Sequence, residues 1–290
     1  MTIRHGLEEM MILVTGATGK VGREVVDGLL MQGWYVRAVS RRPESAGLPS
    51  SVEVRPGSPE DVPAMTAALE GVESAFVVLV GDVEAQARGF AEAAAAAGQL
   101  KRLVLLSSSS VVHPVSHRIG DEHRAAEEIL SQAVPNATML RPGPFHSNSL
   151  WWAKSIRETG RARCLVGNQP GAPVDPADVA SVGVAALTED GHAGQAYELT
   201  GPELLTSGDQ VRVLEQVLGR TIGFDVASIE EAIGVFSAIS GDPVTAERNV
   251  RALHSPQVPW SQVSPDGSRL LGRPLRTYRE WAAAHRGLFV

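Results

Sequence analysis

Three glycines, at positions 16, 19 and 22, stand between the short apolar run Met11-Ile12-Leu13-Val14-Thr15 and a helical pattern that begins at once. That spacing suits a diphosphate. Gly16 permits a sharp turn out of a strand, Gly19 lets backbone approach a pyrophosphate, and Gly22 lets the new helix lie close on the strand. The amides of Ala17, Thr18, Lys20 and Val21 then belong to a helix start, whose dipole attracts phosphate oxygens. The competing phosphate loop, Gly-x-x-x-x-Gly-Lys-Ser/Thr, is excluded. Val21 follows Gly19-Lys20 without a hydroxyl, and Leu13-Val14 lacks the leading glycine.

The next chemistry lies at the end of the second apolar run, Trp34-Tyr35-Val36-Arg37-Ala38-Val39. An acid there would accept from the ribose hydroxyls of NAD. This chain has Ser40-Arg41-Arg42 instead. Two guanidiniums and a hydroxyl suit a 2′-phosphate, because arginine meets phosphate as a fork. NADP(H) is therefore expected over NAD(H).

These residues need a scaffold, and the apolar pattern supplies one. Val21, Val25, Val26, Leu29 and Leu30 recur at helical spacing. Strand and helix patterns then alternate: a strand over 51–55, a helix over 59–70 and an all-apolar strand over 75–80. A helix follows over 83–97, closed by Gly98, then a strand over 103–106, a helix over 120–133 and a strand over 138–140. Alternation of this kind predicts an α/β fold, a Rossmann-type doubly wound parallel sheet with helices on both faces. Ligands bind outside the carboxyl ends of such strands. Leu79, Ser107, Gly143 and Phe145 fall there and are expected at the cofactor.

From Arg141-Pro142-Gly143-Pro144 onward the rhythm breaks. A helix over 178–187, a strand over 195–199 and a helix over 210–218 remain legible. The division expected is an extension over 1–9 outside the core, a dinucleotide-binding core over 10–150 and a smaller substrate lobe mainly over 151–290. Some lobe segments return to the core. Asp175, before the helix, reads as an N-cap with Asp178 in the first turn, structural in both cases.

Composition narrows the class. The chain has 290 residues, with 33 acidic side chains against 26 basic ones, and no basic block suited to nucleic acid. No apolar run approaches the ~20 residues that span a bilayer. The single cysteine, Cys164, excludes an internal disulfide and fits a reducing, cytoplasmic setting. No His, Cys and carboxylate cluster has metal-ligand spacing, so no metal is expected. The expected partner is a small-molecule acceptor, and a homodimer is left open.

Gly16-Ala17-Thr18-Gly19-x-x-Gly22, the serines Ser107–Ser110 and Arg141-Pro142-Gly143-x-Phe145 together resemble the NmrA-like group of atypical short-chain dehydrogenases/reductases. Asp121-Glu122-His123-Arg124-Ala125-Ala126-Glu127 is similar to the matching helix of NADPH-dependent quinone oxidoreductases in that group. Thr200-Gly201-Pro202-Glu203 is like them too. The resemblance runs from Met10 almost to the end of the chain. It implies a core holding NADP(H), a small C-terminal substrate lobe, and either a reductase or a catalytically silent redox sensor.

Short-chain dehydrogenases usually carry Tyr-x-x-x-Lys on the helix after the fifth strand. Here Ile119 and His123 occupy those places, and the tyrosines are Tyr35, Tyr197 and Tyr278. His123 is the remaining catalytic candidate, able to bond the nicotinamide ribose or to give a proton near neutral pH. It reads equally as a solvated helix residue beside Glu122 and Glu127. His113 and His117 border the expected pocket, and His113, Phe145, His146, Trp151 and Trp152 are candidate substrate contacts. Direct hydride transfer to a quinone-like or conjugated carbonyl acceptor fits a site without tyrosine. An NADP(H)-binding sensor and a tailoring ketoreductase or dehydratase stay open beside it.

Overall fold

The computed structural model describes residues 10–255 and 257–290. The expected extension over 1–9 lies outside them. The apolar run forms β1 (Met11–Thr15), buried from Ile12 onward, and the glycine turn leads into α1 (Lys20–Met31). Val21, Val25, Val26 and Leu29 are the buried stripe of α1, at the spacing of one helix face. β2 (Tyr35–Ser40), β3 (Glu53–Pro56) and α2 (Val62–Leu69) follow. α2 begins later than its pattern predicts, because the Asp61 carboxylate caps the Ala64 amide and Pro63 takes the first turn.

β4 (Val72–Val78), α3 (Val83–Ala97), β5 (Arg102–Leu106), α4 (Arg118–Ala133) and β6 (Thr138–Pro142) complete the alternation. Gly98 ends α3 in the left-handed region at φ 65°, where a side chain would be strained. β4 starts at Val72 and stops at Val78, two residues short of its apolar run. Beyond them come α5 (Ala153–Thr159), β7 (Arg161–Cys164), α6 (Pro176–Thr188) and β8 (Ala196–Leu199). The last elements are α7 (Ser207–Leu218), β9 (Gly223–Val226), α8 (Ile229–Ser240), α9 (Pro243–Leu253), α10 (Asp266–Leu271) and α11 (Tyr278–Ala284).

The seven-stranded sheet has the order β3-β2-β1-β4-β5-β6-β8. Its neighbouring pairs from β3 to β6 are parallel, so those strands end on one edge. The order turns back at β1, which places β2 on one flank and β4 on the other. Ligands of doubly wound sheets bind at that switch point.

The chain forms two compact units, and no single cut separates them. The first holds the described residues up to Ser107 with Glu122–Leu140 and Val179–Tyr197. Leu13, Leu69, Val77, Phe90, Leu103, Leu105 and Leu130 belong to its core. The second holds Ser108–Asp121, Arg141–Asp178 and Glu198–Val290. There the β7–β9 pair is parallel, and Ile156, Leu214, Tyr278, Trp281 and Phe289 pack together.

Candidate functional site

Gly16 turns the chain at φ 61°, and a Cβ placed on it would sit 2.7 Å from the Val78 Cβ at the end of β4. The Gly19 amide donates to the Gly16 carbonyl at 2.9 Å, which closes the turn. At Gly22 a Cβ would lie 2.2 Å from the Gly16 carbonyl oxygen. Only glycine lets α1 come this close to the turn. Gly19 is the N-cap of α1 with no side-chain hydrogen bond, and the first helical turn carries no acid. Ala17 and Val21 are buried, while Thr18, Gly19 and Lys20 face solvent. The result is an open helix start, shaped to receive phosphate oxygens. The residues fit a dinucleotide.

Two side-chain clasps hold the β4 side of this crevice, and sequence reasoning passed over both. The Thr15 hydroxyl, 1% exposed, accepts from the Val78 amide at 2.8 Å and donates to the Val78 carbonyl at 3.0 Å. The Gln86 side chain accepts from the Val80 amide at 2.9 Å and donates to the Val80 carbonyl at 2.7 Å. Each mimics a strand neighbour, satisfying both backbone groups of one residue. That explains why the apolar run leaves the sheet at Val78. Leu79 lies buried between the clasps, and Val80 is left 65% exposed. The detectable signal was a hydroxyl in an otherwise apolar strand, and a glutamine one turn beyond the Asp82 cap.

On the β2 side, Arg41 and Arg42 are exposed and Ser40 is half-buried. The Ser40 hydroxyl accepts from the Arg42 amide at 3.1 Å, which folds the arginines around the strand end. β2 and β1 end side by side, with Val39 opposite Thr15 in register. The structure thus brings Gly16–Gly22, Ser40–Arg42 and Leu79 to one edge of the first unit.

Ser107, just past β5, is 4% exposed and donates to Glu127 at 2.6 Å. Glu127 is itself only 8% exposed. It is a buried acceptor on α4, and it fixes the direction of the Ser107 proton. His123 lies one turn earlier on α4, half-buried.

Gly143, Phe145 and the remaining candidates belong to the second unit. A Cβ on Gly143 would meet the Trp260 Cβ at 3.1 Å. Phe145 is half-buried, Trp151 is 68% exposed, and Trp152 packs on the core of that unit. His146 departs from its expected role: it is 0% exposed, with its ring 5.4 Å from Tyr278 and 6.1 Å from Trp281. Burial lowers its pKa to about 4, so it is a neutral packing residue that offers a ligand no surface.

His113 and His117 are buried as well, edge to face with centroids 4.8 Å apart. The Val115 amide donates to His113 Nδ1 at 3.0 Å, and the Val115 carbonyl lies 2.9 Å from His117 Nδ1. One consistent assignment has His113 accepting and His117 donating. Burial first, and then His117, lower the His113 pKa. Their loop is tied by these rings, so His113 too is packed instead of lining a pocket. Tyr278 is equally removed from chemistry: burial raises its pKa, and it donates to Ser149 at 2.6 Å. Asp175 caps the Ala177 amide at 2.9 Å, while Asp178 pairs with Arg273 at 2.8 Å, as structural acids do.

A separate cleft of about 650 Å³ opens at the amino ends of the strands, lined by Met10, Trp34, Ser74 and Arg102 among others. It lies at the opposite edge from the glycine turn. Among the described residues no cluster of His, Cys, Asp and Glu could hold a metal ion, and no helix is long and apolar enough to cross a membrane.

Comparison with known proteins bears on this geometry. The chain is 40% identical over 282 residues to the (4-alkanoyl-5-oxo-2,5-dihydrofuran-3-yl)methyl phosphate reductase of Streptomyces griseus subsp. griseus, covering 97% of this chain and 99% of that one. It is 30% identical over 285 residues to the NAD(P)H azoreductase of Xenophilus azovorans, covering 96% and 99%. The NADPH complex of the quinone oxidoreductase QOR2 from Escherichia coli superposes with a TM-score of 0.81 at 26% identity, over 96% of this chain and 100% of that one. NmrA, a negative transcriptional regulator solved with NADP, shares the fold at a TM-score of 0.75 and 19% identity, over 95% of each chain. The family described as NAD(P)H-binding matches residues 16–190, a span that opens on the first glycine of the turn. The chain belongs to that NAD(P)H-binding family, and it is an NAD(P)H-dependent oxidoreductase.

Proposed function

We propose that this protein is an NADPH-dependent reductase of conjugated acceptors, α,β-unsaturated carbonyl compounds and quinones, working without the Tyr-x-x-x-Lys dyad. One observation carries the reading. An open, glycine-built helix start at the switch point of the sheet occurs in a chain with Ile119 and His123 at the dyad positions, while Tyr278, buried, donates to Ser149. Reduced nicotinamide supplies a hydride when bound. A conjugated acceptor that takes hydride at carbon moves its electron pair onto oxygen as an enolate or phenolate. Such an oxygen is a weak base and needs little proton assistance. An isolated ketone would form an alkoxide and would need a strong, placed acid.

The residues divide the work accordingly. The glycine turn and the start of α1 hold the diphosphate, and Arg41 and Arg42 take the 2′-phosphate that favours NADPH. Ser107, its proton given to Glu127, offers lone pairs to a donor on the cofactor or the acceptor. His123 supplies the proton. The reductase of 40% identity acts, by its name, on a 5-oxo-2,5-dihydrofuran phosphate, a ring with its C=C beside a carbonyl. That compound class heads the acceptor list, with quinones and azo compounds after it.

The test is NADPH oxidation followed at 340 nm against four acceptors: an alkanoyl-butenolide phosphate, a benzoquinone, an azo dye and a simple aliphatic ketone. Turnover with one or more conjugated acceptors and none with the ketone is expected. Tight NADPH binding with no acceptor consumed above the enzyme-free rate would reject catalysis and favour a cofactor sensor.

A further inference from the structure

Arg23 stands one residue past the last glycine of the turn, in a position no glycine motif requires. Its guanidinium donates through one terminal nitrogen to the Gly47 carbonyl at 2.7 Å and through the other to the Ala46 carbonyl at 3.1 Å. Those carbonyls lie at the end of the turn that follows the arginine pair. The Ser45 amide donates to the Arg42 carbonyl at 3.2 Å and the Ala46 amide to the Pro43 carbonyl at 3.2 Å. Ala46 is 6% exposed, and Gly47 sits at φ 58°, so the anchored backbone is fixed by burial and by conformation. At its other end the loop is pinned by Ser40 beneath the Arg42 amide.

The loop bearing Arg41 and Arg42 is thus held at both ends, and one hold comes from the helix that carries the phosphate turn. A fork is needed for this. Arginine reaches two carbonyls in one plane, whereas lysine offers a single flexible point. Because Arg23 is satisfied by carbonyls, its positive charge is not cancelled there, and it adds to the two guanidiniums of the loop.

We propose that Arg23 is a positioning residue for cofactor choice: by clasping the backbone at 46–47 it holds Arg41 and Arg42 where they discriminate NADPH from NADH. The inference rests on the NADPH preference proposed above. Its test uses the full chain and measures the dissociation constants of NADPH and NADH by calorimetry, together with the thermal midpoint. The variants are Arg23→Met, Arg23→Lys and the double variant Arg41→Ala/Arg42→Ala.

Arg23→Met is expected to weaken NADPH by about tenfold or more while NADH stays within about twofold. Arg23→Lys, with charge but no fork, falls between it and the wild type. Equal weakening of both cofactors by Arg23→Met would overturn the assignment, since that is the signature of a merely structural residue. So would an unchanged preference in Arg23→Met alongside a preference abolished in the double variant, which leaves the NADPH reading standing. A wild type that binds both cofactors alike, or a double variant that keeps its preference, would overturn both.

Discussion

The starts of α1 and α7 show the same backbone problem solved in opposite ways. At α7 the Thr206 hydroxyl accepts from the Asp209 amide at 3.0 Å, and the Asp209 carboxylate accepts from the Thr206 amide at 2.9 Å. The Thr206 hydroxyl, which donates to the same carboxylate, and then the Thr206 amide hold the Asp209 carboxyl below the usual range. α2, α3, α8, α9 and α11 are closed in kind by Asp61, Asp82, Ser228, Asp242 and Thr277. α1 begins on a glycine with no side chain to give and no acid in its first turn. The short helices α5 and α10 also start without a side-chain cap, but among helices of eight or more residues with a described N-cap, α1 alone gives its amides none. That start is the one we assign to the dinucleotide.

The largest expected effect comes from filling the open region. Gly22→Ala places a methyl 2.2 Å from the Gly16 carbonyl oxygen, and backbone must move to admit it. Dinucleotide affinity is expected to fall on the order of 100-fold, the equivalent of roughly 3 kcal/mol of strain. Calorimetric titration with NADPH checks it. An unchanged affinity would mean that the close approach of α1 to the turn is not required.

A buried ring elsewhere in the second unit should answer to pH instead. His146 has a folded pKa near 4 against an ordinary 6.5, because burial penalises the charged ring. The unfolded chain therefore takes up the proton first as pH falls. The stability contributed by the neutral ring is complete above 6.5 and is lost progressively from 6.5 down to about 4, to a total of about 3 kcal/mol. Urea unfolding at pH 7 and at pH 4.5 reads the slope, and His146→Leu should flatten it. A slope unchanged by that substitution would contradict the assignment.

The smallest effect is the complement of the first. Thr206→Ala removes a cap and should cost about 1 kcal/mol of stability, read from chemical denaturation. It should leave NADPH affinity within about twofold. A cofactor defect as large as that of Gly22→Ala would erase the distinction between the two helix starts.

Much of the first unit was legible because its signals are local. The period of α1, the apolar runs of β1 and β5 and the left-handed Gly98 each declare themselves within a few residues. α3 occupies Val83–Ala97, the span its alanine-rich pattern and closing glycine mark out. What escaped depends on partners distant in sequence. Thr15 meets Val78, Ser107 meets Glu127 and Arg23 meets Gly47, and no pattern in the sequence announces those pairs. β7 and β9 escaped because Arg161, Arg163, Gly223 and Asp225 leave no apolar run in either. His146 was misplaced for a different reason. A histidine just after Phe145 at a glycine-proline break reads as a substrate contact, while the structure seats it on Tyr278 and Trp281.

The central claim is that the amides at the start of α1 are reserved for a dinucleotide, and Gly19→Asp tests it most directly. Gly19 has φ −84° and ψ 175°, a backbone conformation that aspartate adopts at helix caps, and a Cβ there would stand 3.2 Å from the Gly16 carbonyl oxygen, a contact that a shift of a few tenths of an ångström relieves. The variant should therefore unfold at the same temperature as the wild type or higher, while its NADPH affinity, measured by calorimetry, falls at least about 100-fold as a carboxylate takes the place of the diphosphate. A variant that is equally stable and still binds NADPH as the wild type does would contradict the account.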